Sequence, residues 1–353
     1  MKISDGSPII REDLELIALY DLPWQQLQNK TILISGGSGF LASYLVKALI
    51  TASDAHHLGI KIICVVRSLE GVVRRLSSFL QHKSLIVIQH DVTLPLPPDF
   101  PAADVIIHSA SQASPKFYGI DPVGTLMANT VGTSNLLDHA VKHKARRFLF
   151  FSSAEVYGSL STFSSPLDEK SYGYVDPLDV RSCYSESKRI GETMCASWSH
   201  QFSLHASVVR PFHTYGPGMA LDDGRVFADF VADVVNGRDI VLKSDGLARR
   251  SFCYIADATV GFLTVLLMGK NGEAYNVANP FADISIRELA FLVSSLFPER
   301  KVDVRSEIVN ANSSYLRSSA SHFYPSIEKI SKLGWLPVTN LEDGFRRSIE
   351  SFL

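Results

Sequence analysis

The chain has 353 residues, 46% of them hydrophobic and 20% charged, with a formal net charge of -2. That length can bury one large α/β core or two modest ones, and without a basic surplus nucleic acid is excluded as a partner. Four cysteines, Cys64, Cys183, Cys195 and Cys253, fall without CxxC spacing, which speaks against a disulfide framework or a zinc site. The N-terminus carries acids where a signal peptide is basic and apolar, and no apolar run reaches membrane-spanning length. A cytoplasmic protein with no metal and no membrane partner is the expectation.

Residues 1–30 read as an amphipathic helical extension, "IREDLELIALYDLPWQQL", packed on the main domain. From there short apolar runs alternate with longer helix-like segments: "TILISG" (31–36), "IKIICVV" (60–66), "SLIVIQH" (84–90), "DVIIHSA" (104–110) and "RRFLFFSS" (146–153). Continuous apolar strands interleaved with helices predict an α/β fold, a doubly wound parallel sheet covered on both faces. After "HASVVRPF" (205–212) the rhythm shifts to loops rich in Gly and Asp. The division is therefore 31–205, mainly nucleotide-binding, and 206–353, mainly substrate-binding, the two interwoven.

"TILISG" runs straight into "GSGFLASYLVKALI", giving Gly36, Gly39 and Ala42 at G-x-x-G-x-x-A spacing. The first glycine permits a tight turn, the second lets backbone approach a pyrophosphate, and the small third residue packs the helix on its strand. The helix N-terminus then offers N–H groups to the phosphates. Such spacing alone is weak, but here it follows a strand and opens a βαβ unit, which predicts a bound dinucleotide. Arg67, closing the second strand, is placed to pair with a 2′-phosphate, to stack on adenine or to be a solvated arginine. Asp91, in "HDVT", suits an adenine amino group or a plain strand cap.

In "DVRSCYSESKRIGE" Tyr184 and Lys188 stand four residues apart, on one face of a helix. An ordinary exposed face has the same spacing. With a dinucleotide nearby the pair acquires a chemical role, the removal of a hydroxyl proton during hydride transfer, with the ammonium and a cationic nicotinamide drawing the phenol's pKa down. Ser153, in "FFSSAEVYG", is placed to hold the same substrate oxygen.

The combination of "SGGSGFLASYL", "HDVTLPL", "HSASQASP", "NTVGTSNLL", "SSAEVYG", "CYSESKRIGE", "RPFHTYGPG", "RRSFCYIAD", "EAYNVANP" and "KLGWLP" resembles the extended short-chain dehydrogenase/reductases that modify nucleotide sugars, over nearly all of residues 30–350. The resemblance implies a Rossmann domain, a smaller substrate domain, a tightly bound NAD, or NADP given Arg67, and usually a homodimer built on helices beside the Tyr-Lys motif. It places Phe40, Leu41, Val92, Ser109 and Ala110 with Gly36, Gly39, Arg67, Asp91, Tyr184 and Lys188 at the cofactor. Ser114, His213, Arg225 and Arg250 go to the substrate, a nucleotide-diphosphate sugar expected to be UDP-linked, with Lys243 and Arg249 as lesser candidates for its diphosphate.

Reactions of this family open by oxidising the sugar at C4 and differ afterwards. Ala154 stands where the 4,6-dehydratases resembled here carry an acid, which counts against dehydration, and simple 4-epimerases usually lack a carboxylate at Glu155. The segments "YGYVDPLDVRSCY", "DDGRVFADFV" and "RRSFCYIAD" look most like the UDP-glucuronate decarboxylases. That subgroup implies proton handling by Glu155 and carboxylate contact by Arg250, each with a bland alternative as a structural carboxylate or a surface ion pair. The expected product is UDP-xylose-like, followed by 4-epimerisation and then dehydration as alternatives, with a non-catalytic cofactor-binding regulator as the reading from another class. Three departures surround the sugar pocket: "CYSESK" for "SYDEGK", "GPGM" for "GPRM" so that Gly218 removes a cation, and His213 where asparagine is usual. "HFYPSIEK" also lacks the subgroup's arginine and aspartate.

Overall fold

The computed structural model describes residues 6–160, 166–307 and 322–353; residues 1–5 of the N-terminal extension lie outside them. The apolar runs up to residue 211 form β1 (Thr31–Ser35), β2 (Lys61–Val66), β3 (Leu85–Gln89), β4 (Val105–His108), β5 (Arg147–Phe151) and β6 (Ala206–Pro211). Beyond them come β7 (His213–Tyr215), β8 (Ile240–Leu242), β9 (Arg249–Tyr254), β10 (Ala274–Val277), β11 (Asp283–Ser285), β12 (Val304–Ser306) and β13 (His322–Phe323). The main sheet has the order β3-β2-β1-β4-β5-β6-β10, every pair parallel. Its inner strands are buried on both faces, as the uninterrupted Ile, Val and Phe runs require. The fold is thus the doubly wound Rossmann type.

Strand order reverses at β1 and β4, opening a crevice beyond their carboxyl ends. A second, smaller sheet is built around β9, which pairs with β7 and β13 in parallel and with β11 antiparallel. β8 and β12 make a separate parallel pair. The chain weaves between these sheets. After β9 it returns through the helix Ile255–Met268, buried over Ile255–Leu267, to add β10 at the edge of the main sheet. A helix buried on every side reads as apolar all round, and this one does. β10 falls in "EAYNVANP", where the sequence showed a motif and no strand.

The helix Pro8–Leu19 buries Ile10, Leu14, Ile17 and Ala18 against the helices Phe40–Ala55 and Ile255–Met268. Asp13 shares that stripe and is 2% exposed. Burying a carboxylate is costly unless it is well bonded. Asp13 accepts from Tyr44 at 2.5 Å, Tyr254 at 2.7 Å and Arg347 at 2.7 Å, so the helix Pro8–Leu19, the helix Phe40–Ala55, β9 of the smaller sheet and the helix Leu341–Glu350 meet at one side chain.

Candidate active site

A cleft of about 530 Å³ follows the crevice beyond the carboxyl ends of β1 and β4 toward the smaller sheet around β9. At one end the turn after β1 needs its glycine: Gly36 has φ +69°, and a Cβ there would lie 2.6 Å from the Ala110 Cα. Gly39 then caps the helix Phe40–Ala55 with no side-chain bond to its first N–H groups, which stay open to an anion. Gly36, Gly39, Phe40, Leu41, Arg67 and Ser109 line the cleft. Ala110 backs the turn, while Asp91 and Val92 are not among the lining residues. One Asp91 oxygen accepts from the Thr93 N–H and hydroxyl at 2.9 and 2.8 Å, the strand-cap arrangement.

Farther along, the helix Ser182–Phe202 lies hard against β5, since a Cβ at Gly191 would sit 2.3 Å from the Phe150 ring. That approach carries Lys188 to the strand end, where its Nζ donates to the Phe151 carbonyl at 2.6 Å. Ser153, just past β5, caps the turn Ala154–Tyr157 by accepting from the Glu155 N–H at 3.2 Å. Tyr184 lines the cleft beside it, with its ring stacked on Tyr118 at a centroid distance of 5.0 Å. Burial, with a smaller contribution from Glu155, pushes the Tyr184 phenol up to about 12; Ser153 and Arg225 oppose the rise. Lys188 is lowered by burial to about 7, Glu192 and Cys195 opposing. The lowering of the phenol expected from the sequence is therefore not present in the protein alone. Burial disfavours the charged form of both groups, and the Lys188 amine faces a carbonyl and the Phe150 ring.

Glu155 reaches into the cleft with its side chain 28% exposed and meets Arg181 at 3.3 Å. Burial raises its pKa, against Arg181, Arg225 and Arg250. Arg250, on β9, faces the cleft with Nη1 donating to the Arg249 carbonyl. Arg225 is bound to Asp223 at 2.8 and 2.6 Å, which offsets part of the charge expected to hold a diphosphate. Ser114 donates to the Asp223 carbonyl at 2.5 Å, tying the loop after β4 to the second lobe. Arg249 is engaged by Asp283 and Glu288, and neither it nor exposed Lys243 lines the cleft. His213 is lowered to about 3 by burial, then by Arg250 and Arg225, and so is neutral.

Buried polar atoms are ordinarily bonded. Among the described residues five buried side-chain polar atoms lack a partner, and three of them, Ser111 Oγ, Arg181 Nε and His213 Nδ1, belong to residues that line this cleft. Unmet donors and acceptors gathered in one crevice mark it as a site for a polar ligand. Ser111, Tyr118 and Arg181 were not singled out from sequence. Arg181 was legible in principle, three residues before Tyr184, whereas the Tyr118 stack depends on tertiary approach alone.

The family model for the NAD dependent epimerase/dehydratase family matches residues 32–278. The chain belongs to that family. It is 35% identical over 325 residues to UDP-glucuronic acid decarboxylase 6 of Arabidopsis thaliana, covering 92% of this chain and 89% of the relative. It is also 35% identical over 326 residues to UDP-glucuronic acid decarboxylase 1 of Xenopus tropicalis, covering 92% and 72%. Among solved structures, dTDP-glucose 4,6-dehydratase from Bacillus anthracis, in complex with NAD, superposes with a TM-score of 0.73 at 21% identity, over 91% of this chain and 96% of that one. The fold is shared. As a member of the family the chain is an NAD-dependent enzyme, and the Gly36 cradle with the open helix end after Gly39 fits a dinucleotide diphosphate.

Proposed function

We propose that this enzyme decarboxylates UDP-glucuronate to a UDP-xylose-type product. The observation that carries the reading is Glu155, a carboxyl of raised pKa facing three arginines in the cleft that Ser153 and Tyr184 also line. The names borne by relatives at 35% identity agree with it.

NAD, which the glycine turn at Gly36 and the open helix end after Gly39 would hold, would supply the acceptor for the C4 hydride and the source of its return. Tyr184 takes the proton of the 4-hydroxyl, while Ser153 holds that oxygen by a hydrogen bond. The resulting C4 carbonyl makes the C5 carboxylate a β-keto acid: the bond from C5 to the carboxylate carbon breaks, carbon dioxide leaves, and the electron pair enters the C4 carbonyl. Arg250 holds the departing carboxylate, since a planar guanidinium matches its two oxygens. Glu155 delivers a solvent proton to C5, a role its raised pKa suits. Tyr184 finally returns its proton as C4 is reduced. Neutral His213 meets a sugar or nucleotide hydroxyl through its unpartnered Nδ1.

Incubation with UDP-glucuronate followed by mass spectrometry of the nucleotide sugar tests this reading. Loss of one carbon dioxide supports it; an isobaric product, loss of water or no turnover rejects it. Glu155→Gln keeps the shape but has no acidic proton to transfer, and is expected to cut product formation by roughly 10²–10⁴-fold. C4 oxidation survives in that variant, so reduced nicotinamide absorbance builds up on the enzyme. A variant showing neither the loss nor the absorbance places the C5 proton elsewhere.

Arg67 at the end of β2 lines the cleft and would accept a 2′-phosphate, so NADP is to be compared with NAD in the same assay. Four buried free cysteines agree with a reducing, cytoplasmic setting. Among the described residues no helix is long and apolar enough to cross a membrane. The helices Pro122–Asn129 and Ser182–Phe202 pack together and expose Val123 (66%), Met127 (39%) and Ile190 (45%), and Leu178 (92%) is exposed in the segment leading into the second of them. Two copies related by a twofold axis would cover these side chains. Val123→Glu is expected to halve the molar mass seen by light scattering, and a wild-type monomer would end the homodimer reading.

A further inference from the structure

Arg75 lies in the last turn of the helix Leu69–Leu76, after β2, outside every motif that carries the family resemblance. Its side chain turns inward, 7% exposed, and lines the cleft. Nη1 donates to the Ser38 carbonyl in the glycine turn and Nε to the Gly218 carbonyl in the second lobe, both at 3.3 Å. Both partners are neutral. Among the described residues no ion pair forms with this guanidinium. Asp222 and Asp223 influence it only from beyond pairing distance, and Asp223 is held by Arg225.

A buried guanidinium bonded only to neutral carbonyls is expensive, and burial together with Arg74 works against its charge. The cost is offset once an anion completes the site. The fork is placed for one: Ser38 immediately precedes Gly39, the open cap of the helix Phe40–Ala55, where a dinucleotide diphosphate meets backbone N–H groups. The Nη2 donors have no partner among the described residues, and paired N–H groups suit phosphate oxygens. Position 218, glycine in place of the arginine of the "GPRM" pattern, offers open space and a bare carbonyl to the same guanidinium.

We infer that Arg75 binds the diphosphate of the dinucleotide, supplying from the first lobe the cation that position 218 does not, and joins the two lobes around that diphosphate. The assignment does not depend on which sugar reaction the enzyme performs.

The test compares wild type with Arg75→Gln in three readouts: NAD retained on purification and re-bound by protein freed of it, UDP binding by calorimetry, and the melting temperature with and without NAD. Losing a charge-assisted hydrogen bond to phosphate is expected to weaken NAD binding by about 10–100-fold. UDP affinity stays within about twofold, and the ligand-free melting temperature does not fall, since the variant loses an uncompensated buried charge. Unchanged NAD affinity overturns the inference. So does a loss confined to UDP, which would give Arg75 to the sugar nucleotide, or a lower ligand-free melting temperature with the NAD-induced rise intact, which would make it a structural brace. Should Arg75→Gln not fold, Arg75→Lys decides by the same readouts: NAD binding weakened alone, by a smaller factor, supports the assignment, and wild-type affinity overturns it.

Discussion

Tyr184→Phe is expected to lower kcat for UDP-glucuronate by about 10²–10⁴-fold, the range a positioned acid–base group supplies. The phenylalanine ring can keep the stack on Tyr118, so the melting temperature and NAD affinity should hold near wild type. The loss then belongs to the missing hydroxyl, which is the only titrating group on that ring. Steady-state turnover combined with NAD titration checks this. A variant retaining more than about a tenth of wild-type kcat would remove Tyr184 from the role of base.

The second large effect concerns pH. Lys188 titrates near about 7 and Tyr184 near about 12, so below the lower value both are protonated and no base is available. Between the two values the pair holds one proton, placed either as phenol with amine or as phenolate with ammonium. The second arrangement is the working one, and its share does not change across that window because both arrangements have the same proton count. kcat/KM should therefore rise with pH through about 7, with the lysine setting that lower limb. Lys188→Met leaves the phenol alone: the acid limb moves upward from about 7 toward about 12. Activity above the wild-type limb drops by about 10²–10³-fold, as for other losses of fixed electrostatic support. An acid limb still near about 7 in that variant would mean that another group sets it.

The main sheet was legible because buried parallel strands write themselves as unbroken Ile, Val and Phe runs, and the glycine turn because its spacing follows from close backbone approach. β10 was not, since Ala274–Val277 is short, contains Asn276, and becomes a strand only where β6 offers an edge. In the site, Tyr184, Lys188 and Ser153 were singled out by local spacing and a strand end, and all three line the cleft. Their proton affinities were not legible, because burial belongs to the assembled cleft. Arg75 left no trace in the sequence: its helix has exposed charges elsewhere, and only the fold turns this one toward Ser38 and Gly218. Arg249 and Arg250 illustrate the same limit, adjacent in sequence, one committed to Asp283 and Glu288 at the surface and the other facing the cleft.

The meeting of Tyr44, Tyr254 and Arg347 on Asp13 bears on how such an enzyme can be re-engineered. Suppose a substrate lobe is transplanted from one relative onto the cofactor lobe of another. Here the transplant boundary runs through a buried carboxylate whose partners sit on both sides of it. A donor lobe without the hydroxyl at 254 or the guanidinium at 347 would strand Asp13 in an apolar seam, and a recipient without Asp13 would strand the donor's arginine. The modular unit for grafting is accordingly the second lobe together with the helix Pro8–Leu19, placed on a recipient that keeps the hydroxyl at 44.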